Sequence, residues 1–311
     1  MKEIVIAFDT SNYTTSCAVF DGETGVNSGQ LLDVEPGRLG LRQSDALYAH
    51  VRRLPQVAEG LDLQGKIIAV GASTKPRELE DSYMPCFLAG ASQGKVLAKA
   101  LDVPFFEFSH QQGHIASAAW SAGRMDILET PHLAWHLSGG TTELLLVRPR
   151  NTAVTCEIIG GTTDISAGQL IDRAGQLLGL PFPSGRELDR LASNAVQVVH
   201  YEPKVTACAF SLSGAEHKMK QLFETDVQPC DIAYFTVMSV IAAIRCATEN
   251  AVNEYGNLPL LFSGGVASNS FLRQKMTGGI FAEPKYSVDN ALGVAILTYR
   301  AVKKPPMQES Q

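Results

Sequence analysis

Apolar runs and hydroxyl- or glycine-rich turns alternate along the chain with longer helical stretches. Residues 4–8 and 17–20 are apolar and predict two strands joined by the polar turn Asp9-Thr10-Ser11-Asn12-Tyr13-Thr14-Thr15-Ser16. After a Pro-Gly turn, residues 39–61 read as an amphipathic helix with His50, Arg52 and Arg53 in its middle and Pro55 kinking or dividing it. Residues 67–71 predict a short buried strand, residues 73–78 (Ser-Thr-Lys-Pro-Arg-Glu) a loop, and residues 85–101 a helix rich in small residues. A further strand, 103–108, leads into a helix ending near Gly123.

Beyond Pro131 the pattern restarts. Residues 133–137 and 143–147 predict strands around Ser138-Gly139-Gly140-Thr141-Thr142, the same strand–turn–strand arrangement as residues 4–20, which suggests an internal duplication. Residues 164–180 read as a helix with Asp172 midway, and residues 182–187 as a turn opening a second helix to about Ala195. A long apolar helix over 231–255 follows Pro229, then a strand over 258–262. Residues 263–269 (Ser-Gly-Gly-Val-Ala-Ser-Asn) open another helix, residues 288–299 form the last one, beginning with Asp289-Asn290, and residues 303–311 a frayed tail. Strands alternating with helices indicate an α/β fold. A length of 311 residues suits about two domains.

Composition adds bounds. The chain is 45% hydrophobic and 19% charged, with material for a sizeable core. No uninterrupted run of about 18 apolar residues appears, so no membrane span is expected. The chain enters a strand directly, without a signal-peptide pattern. Its six cysteines lie far apart and read as reduced and mostly buried, in a cytoplasmic protein. A net charge of −6 gives no support to strong autonomous binding of tRNA or other nucleic acid, which a local basic patch or a partner would have to supply.

Candidate chemistry centres on Ser109-His110-Gln111-Gln112-Gly113-His114. His110 and His114 are four apart and share one helix face, which continues through Ser117 and Ser121, whereas the apolar stripe runs through Ile115, Ala119 and Ala122. Two imidazoles on one face can grip a transition metal; capping or surface histidines would look the same at this level. The hydroxyl-rich first turn offers donors to a phosphate, although a plain β-turn accounts for it as well. A Gly264-Gly265 turn between strand and helix is a recurrent nucleotide site, and tight packing explains such glycines equally well.

Taken together, these motifs resemble the actin, sugar-kinase and heat-shock-chaperone superfamily, and within it the tRNA adenosine threonylcarbamoyltransferases, over nearly the whole chain. His110-Gln111-Gln112-Gly113-His114 is similar to the family's HxxGH metal motif, and Ser138-Gly139-Gly140 to its second phosphate turn. Ala167-Gly168-Gln169 with Asp172 resembles its AGExxD segment, Pro183-Ser184-Gly185 its PGG turn, and residues 210–214 its FSFSGLK motif. Gly264-Gly265-Val266 through Asn269 resembles its GGVxxN turn, and Val288-Asp289-Asn290 its TDN, whose Asp is the third metal ligand. The resemblance implies a duplicated actin-like (ASKHA, ribonuclease H-like) two-domain α/β fold. Residues 1–129 and 130–311 would form its halves, with a nucleotide and metal cleft between them and the last helix packing back on the first half.

The same resemblance implies a metal, Fe(II) or Zn(II), on His110, His114 and Asp289. It implies an adenine nucleotide or acyl-adenylate held by Ser138, Gly139, Gly140, Asp172, Gly185, Gly264, Gly265 and Asn269. The implied reaction moves threonylcarbamoyl from threonylcarbamoyl-AMP to a tRNA adenosine, with partner proteins of the same route; no residue is singled out as a covalent catalyst. Four places depart from the family. Tyr13 and Thr14 stand where it has two acids, Lys75-Pro76-Arg77 where it has Gly-Pro-Gly, Thr141 where it has His, and Gln169 where it has Glu. Those departures imply a diverged copy, which leaves open transfer to another acceptor or a non-catalytic nucleotide-binding subunit.

Overall fold

A computed structural model of the chain describes residues 1–11, 13–33, 41–79, 82–225, 227–287 and 289–304. It divides into two compact units. Unit 1 comprises Met1–Thr130, Arg148–Cys156 and the C-terminal segment that carries Asp289; unit 2 comprises Pro131–Val147 and Glu157–Ser287. Arg148–Cys156 and the C-terminal segment thus group with Met1–Thr130.

In unit 1, β1 (Glu3–Asp9), β2 (Thr14–Phe20) and β3 (Gly25–Leu31) form an antiparallel meander. Helix α1 (Gln43–Ala58), strand β4 (Lys66–Lys75), helix α2 (Phe87–Leu101), strand β5 (Phe105–Ser109) and helix α3 (His110–Ser121) follow. The sheet order is β3-β2-β1-β4-β5, with β4 parallel to both β1 and β5. Ile4, Ile6 and Phe8, alternate residues of β1, join Leu54 and Val57 of α1 and Ala89 and Ala98 of α2 in one core. Val5 and Ala7 are equally buried on the opposite face, as expected of a central strand covered on both sides.

Local composition misread three places. The loop expected over 73–78 starts as strand, because β4 pairs onward with β5 through Ser73↔Phe108 and Lys75↔Ser109. Pro55 does not divide α1, which runs one further turn to Ala58. Strand β3 escaped notice because it is a mostly exposed edge with little apolar content. The expected Pro36-Gly37 turn, Asn12, Val288 and the tail over 305–311 lie outside the described residues.

Unit 2 contains β6 (His132–Leu137), α4 (Ala167–Leu177), α5 (Gly185–Ala192) and most of β7 (Thr142–Arg150) and β8 (Ala153–Thr162), whose joined ends over Arg148–Cys156 group with unit 1. Then come β9 (Val205–Thr206), β10 (Ala209–Phe210), α6 (Ser213–Phe223), α7 (Pro229–Tyr255), β11 (Leu260–Ser263), α8 (Ser270–Lys275) and β12 (Ile280–Phe281). Its sheet order is β12-β11-β6-β7-β8-β10-β9. Within it, β8-β7-β6-β11-β12 repeats the order β3-β2-β1-β4-β5, the topological form of the duplication. Helix α7 is long and apolar enough to cross a membrane, yet 67% of its most apolar window is buried; Phe235, Ile241 and Ile244 sit in the core of unit 2. Helix α4 begins later than expected, because Asp164 is spent outside it, accepting from the Ser211 hydroxyl and the backbone N–H groups of Leu212 and Ser213.

The last helix, α9 (Leu292–Lys303), closes unit 1 by packing on α3, β1 and β4. It starts later than expected, so Asp289 and Asn290 form the loop ahead of it.

Candidate functional site

Ser109, the last residue of β5, caps α3. Its hydroxyl accepts from the Gln112 N–H, and the Gln112 side chain accepts from the Ser109 N–H in a reciprocal capping box. This cap fixes where the helix starts and so puts His110 in its first turn. His114 follows one turn on. Their Nε2 atoms lie 2.9 Å apart. Asp289 Oδ1 is 3.4 Å from His110 Nε2 and 3.2 Å from His114 Nε2. A metal ~2.0–2.1 Å from each donor requires edges of about 3.0 Å in an octahedron and about 3.4 Å in a tetrahedron. The three donors are thus spaced as three ligands of one metal ion could be. All of them belong to unit 1, although Asp289 comes from the second half of the sequence.

What brings Asp289 to the histidines is a glycine contact. A Cβ added at Gly293 of α9 would lie 1.8 Å from the Gly113 carbonyl oxygen, and one added at Gly113 would lie 3.1 Å from Val294 Cγ2. The glycine between the two histidines is thus the point where α3 and α9 touch backbone to backbone. The loop ahead of α9 is tied down twice more. Asn27 Oδ1 accepts the Ala291 N–H (2.9 Å), and Asn290 Oδ1 accepts the Leu292 N–H (3.1 Å) and the Ser117 hydroxyl (3.4 Å). Ser117, expected on the same face as the histidines, is fully buried in this contact.

Behind His110 stands a residue that the sequence reading passed over. Asp9, buried at the end of β1, places Oδ2 2.7 Å from His110 Nδ1 and accepts the Ser11 N–H at Oδ1 (2.8 Å). A carboxylate on Nδ1 keeps a proton there, so Nε2 is the nitrogen that offers a lone pair once the imidazole is neutral. Burial opposes charge on His110, but Asp9 and Asp289 outweigh it and raise its pKa to about 10. Burial likewise opposes charge on Asp289 and on Asp9. Hydrogen bonds from His110 and His114 hold the first well below the usual carboxylate range, and the charge of His110 lowers the second. The Ser11 hydroxyl, buried beside Asp9, has no hydrogen-bond partner among the described residues.

The residues expected to hold a nucleotide belong to unit 2. Gly139, Asp172, Gly185, Gly265 and Asn269 line one pocket of about 400 Å³, a size that suits a small organic ligand. Ser138, Gly140 and Gly264 do not line it. The Ser138 N–H, expected to face a phosphate, is committed to the Thr141 carbonyl (2.8 Å) and closes the β6–β7 turn. Gly264 is a glycine for packing: its φ is +89°, and a Cβ would sit 2.2 Å from the Leu137 carbonyl. Gly168 lets the start of α4 seat on the turn, since its Cβ would meet Gly139 Cα at 2.5 Å.

Asn269 contributes position more than free groups. It caps α8 through Leu272 N–H and donates to Asp189, which also accepts from Ser270. Asp189 and Arg186 line the pocket and were missed. The available signal for Asp189 was its place one helical turn past Gly185, on the same face. Asp172 Oδ1 accepts the Ser184 N–H (2.8 Å), which fastens the turn before α5 to α4.

Two departures from the family motifs are milder than their residue types suggest. Gln169 completes a capping box with Ser166, a role glutamine fills as well as glutamate. Lys75 pairs with Glu78 at 3.3 Å, so the altered loop gains less free positive charge than its composition implies.

Two units of common strand order, one presenting a His-His-Asp face and the other a glycine-lined pocket, define an actin-like α/β protein. HypF in its phosphate- and nucleotide-bound form superposes with a TM-score of 0.61 at 14% identity, over 96% of this chain and 55% of that one, so the chain spans about half the length of HypF. The ROK hexokinase of Thermus thermophilus superposes with a TM-score of 0.52 at 16% identity, over 96% of this chain and 99% of that one.

The particular family follows from sequence. The profile of tRNA N6-adenosine threonylcarbamoyltransferase matches residues 83–296. The enzyme of that name from Enterococcus faecalis is 34% identical, over 90% of this chain and 82% of its own. The one from Thermus thermophilus is 30% identical, over 95% and about 92% respectively. The chain belongs to the tRNA N6-adenosine threonylcarbamoyltransferase family.

Proposed function

We propose that this protein transfers the threonylcarbamoyl group from threonylcarbamoyl-AMP to the exocyclic amine of an adenosine in tRNA. The observation that carries the reading is the gathering of Gly139, Asp172, Gly185, Gly265 and Asn269, spread over more than a hundred residues, around one pocket in a chain of this family. In the transfer the amine nitrogen bonds to the carbamoyl carbon, the bond from that carbon to the phosphate oxygen breaks, AMP departs and the amine loses a proton. No covalent enzyme intermediate is required. The protein's part is to position and to stabilise charge. Asp172 keeps Oδ2 for a ribose hydroxyl while Oδ1 holds the Ser184 backbone. Asp189, whose carboxylate accepts from Asn269 and Ser270, fixes the opposite wall of that pocket.

His110, His114 and Asp289 would hold a divalent metal, Fe(II) or Zn(II), which when bound supplies Lewis acidity toward a phosphate or carbamoyl oxygen. Asp9 orients His110 for that task. The reaction, with six cysteines that form no disulfide among the described residues, suits the cytoplasm. With a net charge of −6, engagement of tRNA is read as depending on partner proteins of the same route.

The test supplies threonylcarbamoyl-AMP, tRNA and the purified protein with its pathway partners, and measures modified adenosine by mass spectrometry. Product from the wild type and at least a tenfold loss in Asp172→Ala are expected. No product from a protein that binds AMP and metal would point to another acceptor. Rescue of a strain lacking its housekeeping copy is the cellular counterpart, and it asks directly whether Tyr13, Thr14 and the Lys75–Arg77 stretch are compatible with activity.

A further inference from the structure

Transfer from one adenosine derivative to another adenosine needs two places for an adenine ring. The pocket already described accounts for one. A second concavity of about 720 Å³ lies on unit 2 and shares Gly139 and Asp172 with the first. Its other walls include Gln169, Arg173 and Gln176 from α4 and Phe182 from the loop before α5.

Phe182 is 83% exposed. A large aromatic left in water at the rim of a pocket is the usual platform for an unstacked base, because every base offers a π-face to it. Gln176 is an exposed side-chain amide with both a donor and an acceptor suited to a base edge, and Gln169, whose Oε1 accepts the Ser166 N–H, keeps its Nε2 donors. Arg173 is held by Glu216 through one guanidinium nitrogen at 2.7 Å, which fixes the group and leaves other N–H donors for a phosphate. Gly139 belongs to the β6–β7 turn, so the two concavities meet at that turn.

We infer that this second concavity is the acceptor site, which takes an adenine base turned out of an RNA loop, stacked on Phe182 and read by Gln169 and Gln176. An enzyme that does chemistry on a base must take it out of its stack, and a base already unpaired in a loop costs least. The inference rests on the transfer reading above, and its test is separable from the tests of that reading.

The experiment measures binding of a fluorescent anticodon-type stem–loop RNA to the full chain together with its pathway partners at low salt. Two RNAs are used, one with the loop adenosine and one with an abasic nucleotide in its place. Phe182→Ala should weaken binding of the intact RNA about tenfold, and Phe182→Trp should preserve it. Removing the base should cost the wild type a similar factor and cost Phe182→Ala nothing further, the signature of one lost stack. AMP binding should be equal in all three proteins. RNA binding indifferent to Phe182→Ala, or equal losses on base removal in both proteins, would overturn the acceptor site while leaving the adenylate pocket standing. Absence of RNA binding by the wild type would overturn it too. Loss of AMP binding in Phe182→Ala would assign the ring to the first pocket instead.

Discussion

Among single residues Asp9 has the sharpest consequence. Its carboxylate on His110 Nδ1 decides which imidazole nitrogen can face a metal. Asp9→Asn keeps the shape and removes the charge, and it should lower metal affinity by about 10- to 100-fold, the usual scale for losing such a support. Elemental analysis after dialysis against graded chelator measures it, and unchanged metal retention would show the contact to be incidental. His114→Ala, which deletes a ligand, should remove stoichiometric metal altogether. The raised pKa of His110 adds a pH dependence. Metal needs the neutral imidazole, so a proton must leave His110 at any pH below about 10. Apparent metal affinity should therefore climb by about tenfold per pH unit from neutrality toward that value. In metal-free protein the raised pKa has the opposite effect on the fold. Its stabilisation is full below the ordinary histidine value of 6.5 and is lost as pH rises through about 10. A titration that finds metal affinity flat between pH 7 and 9 would contradict this assignment of charge.

At the level of elements, the α3–α9 crossing explains why a glycine sits between the histidines. Gly293→Ala forces a methyl into the Gly113 carbonyl. It should destabilise unit 1 by roughly 1–3 kcal/mol, the range for overpacking, and lower metal affinity through displacement of Asp289. Thermal unfolding and metal content would both register it; a change in neither would mean that the helices part without cost. The histidine pair was legible in the sequence because a four-residue spacing on a helix is a local fact. The crossing was not, since nothing in residues 110–114 says which distant segment will touch Gly113. The same limit hid Asp9, which sits in a turn that reads as hydroxyl-rich and shows its role only once β1 and β5 are brought together through β4. Strands with an apolar core side were readable; β3 and the end of β4 were not, because their place comes from pairing rather than from composition.

For the molecule as a whole, the two candidate sites belong to different compact units and should respond to different ligands. AMP at a hundred times its dissociation constant should stabilise the unit that binds it by ~2.7 kcal/mol. Calorimetry should show that gain with AMP, and Asp172→Ala should abolish it while leaving the response to metal intact. An AMP response that survives Asp172→Ala would move the nucleotide away from the pocket lined by Gly139 and Asn269. The way α9 closes unit 1 also bears on how the protein is made. Asp289 leaves the ribosome long after His114, and all of unit 2 is synthesised in between. Until then the emerging chain lacks α9, whose Val294, Ala295, Ile296 and Leu297 are wholly buried in the finished fold. Unit 2 can fold as its sequence is completed, whereas unit 1 must wait for its last helix. A chain cut short before residue 289 would keep its pocket for AMP and have no third ligand. Metal held as proposed would then be retained only by molecules whose synthesis has run past Asp289.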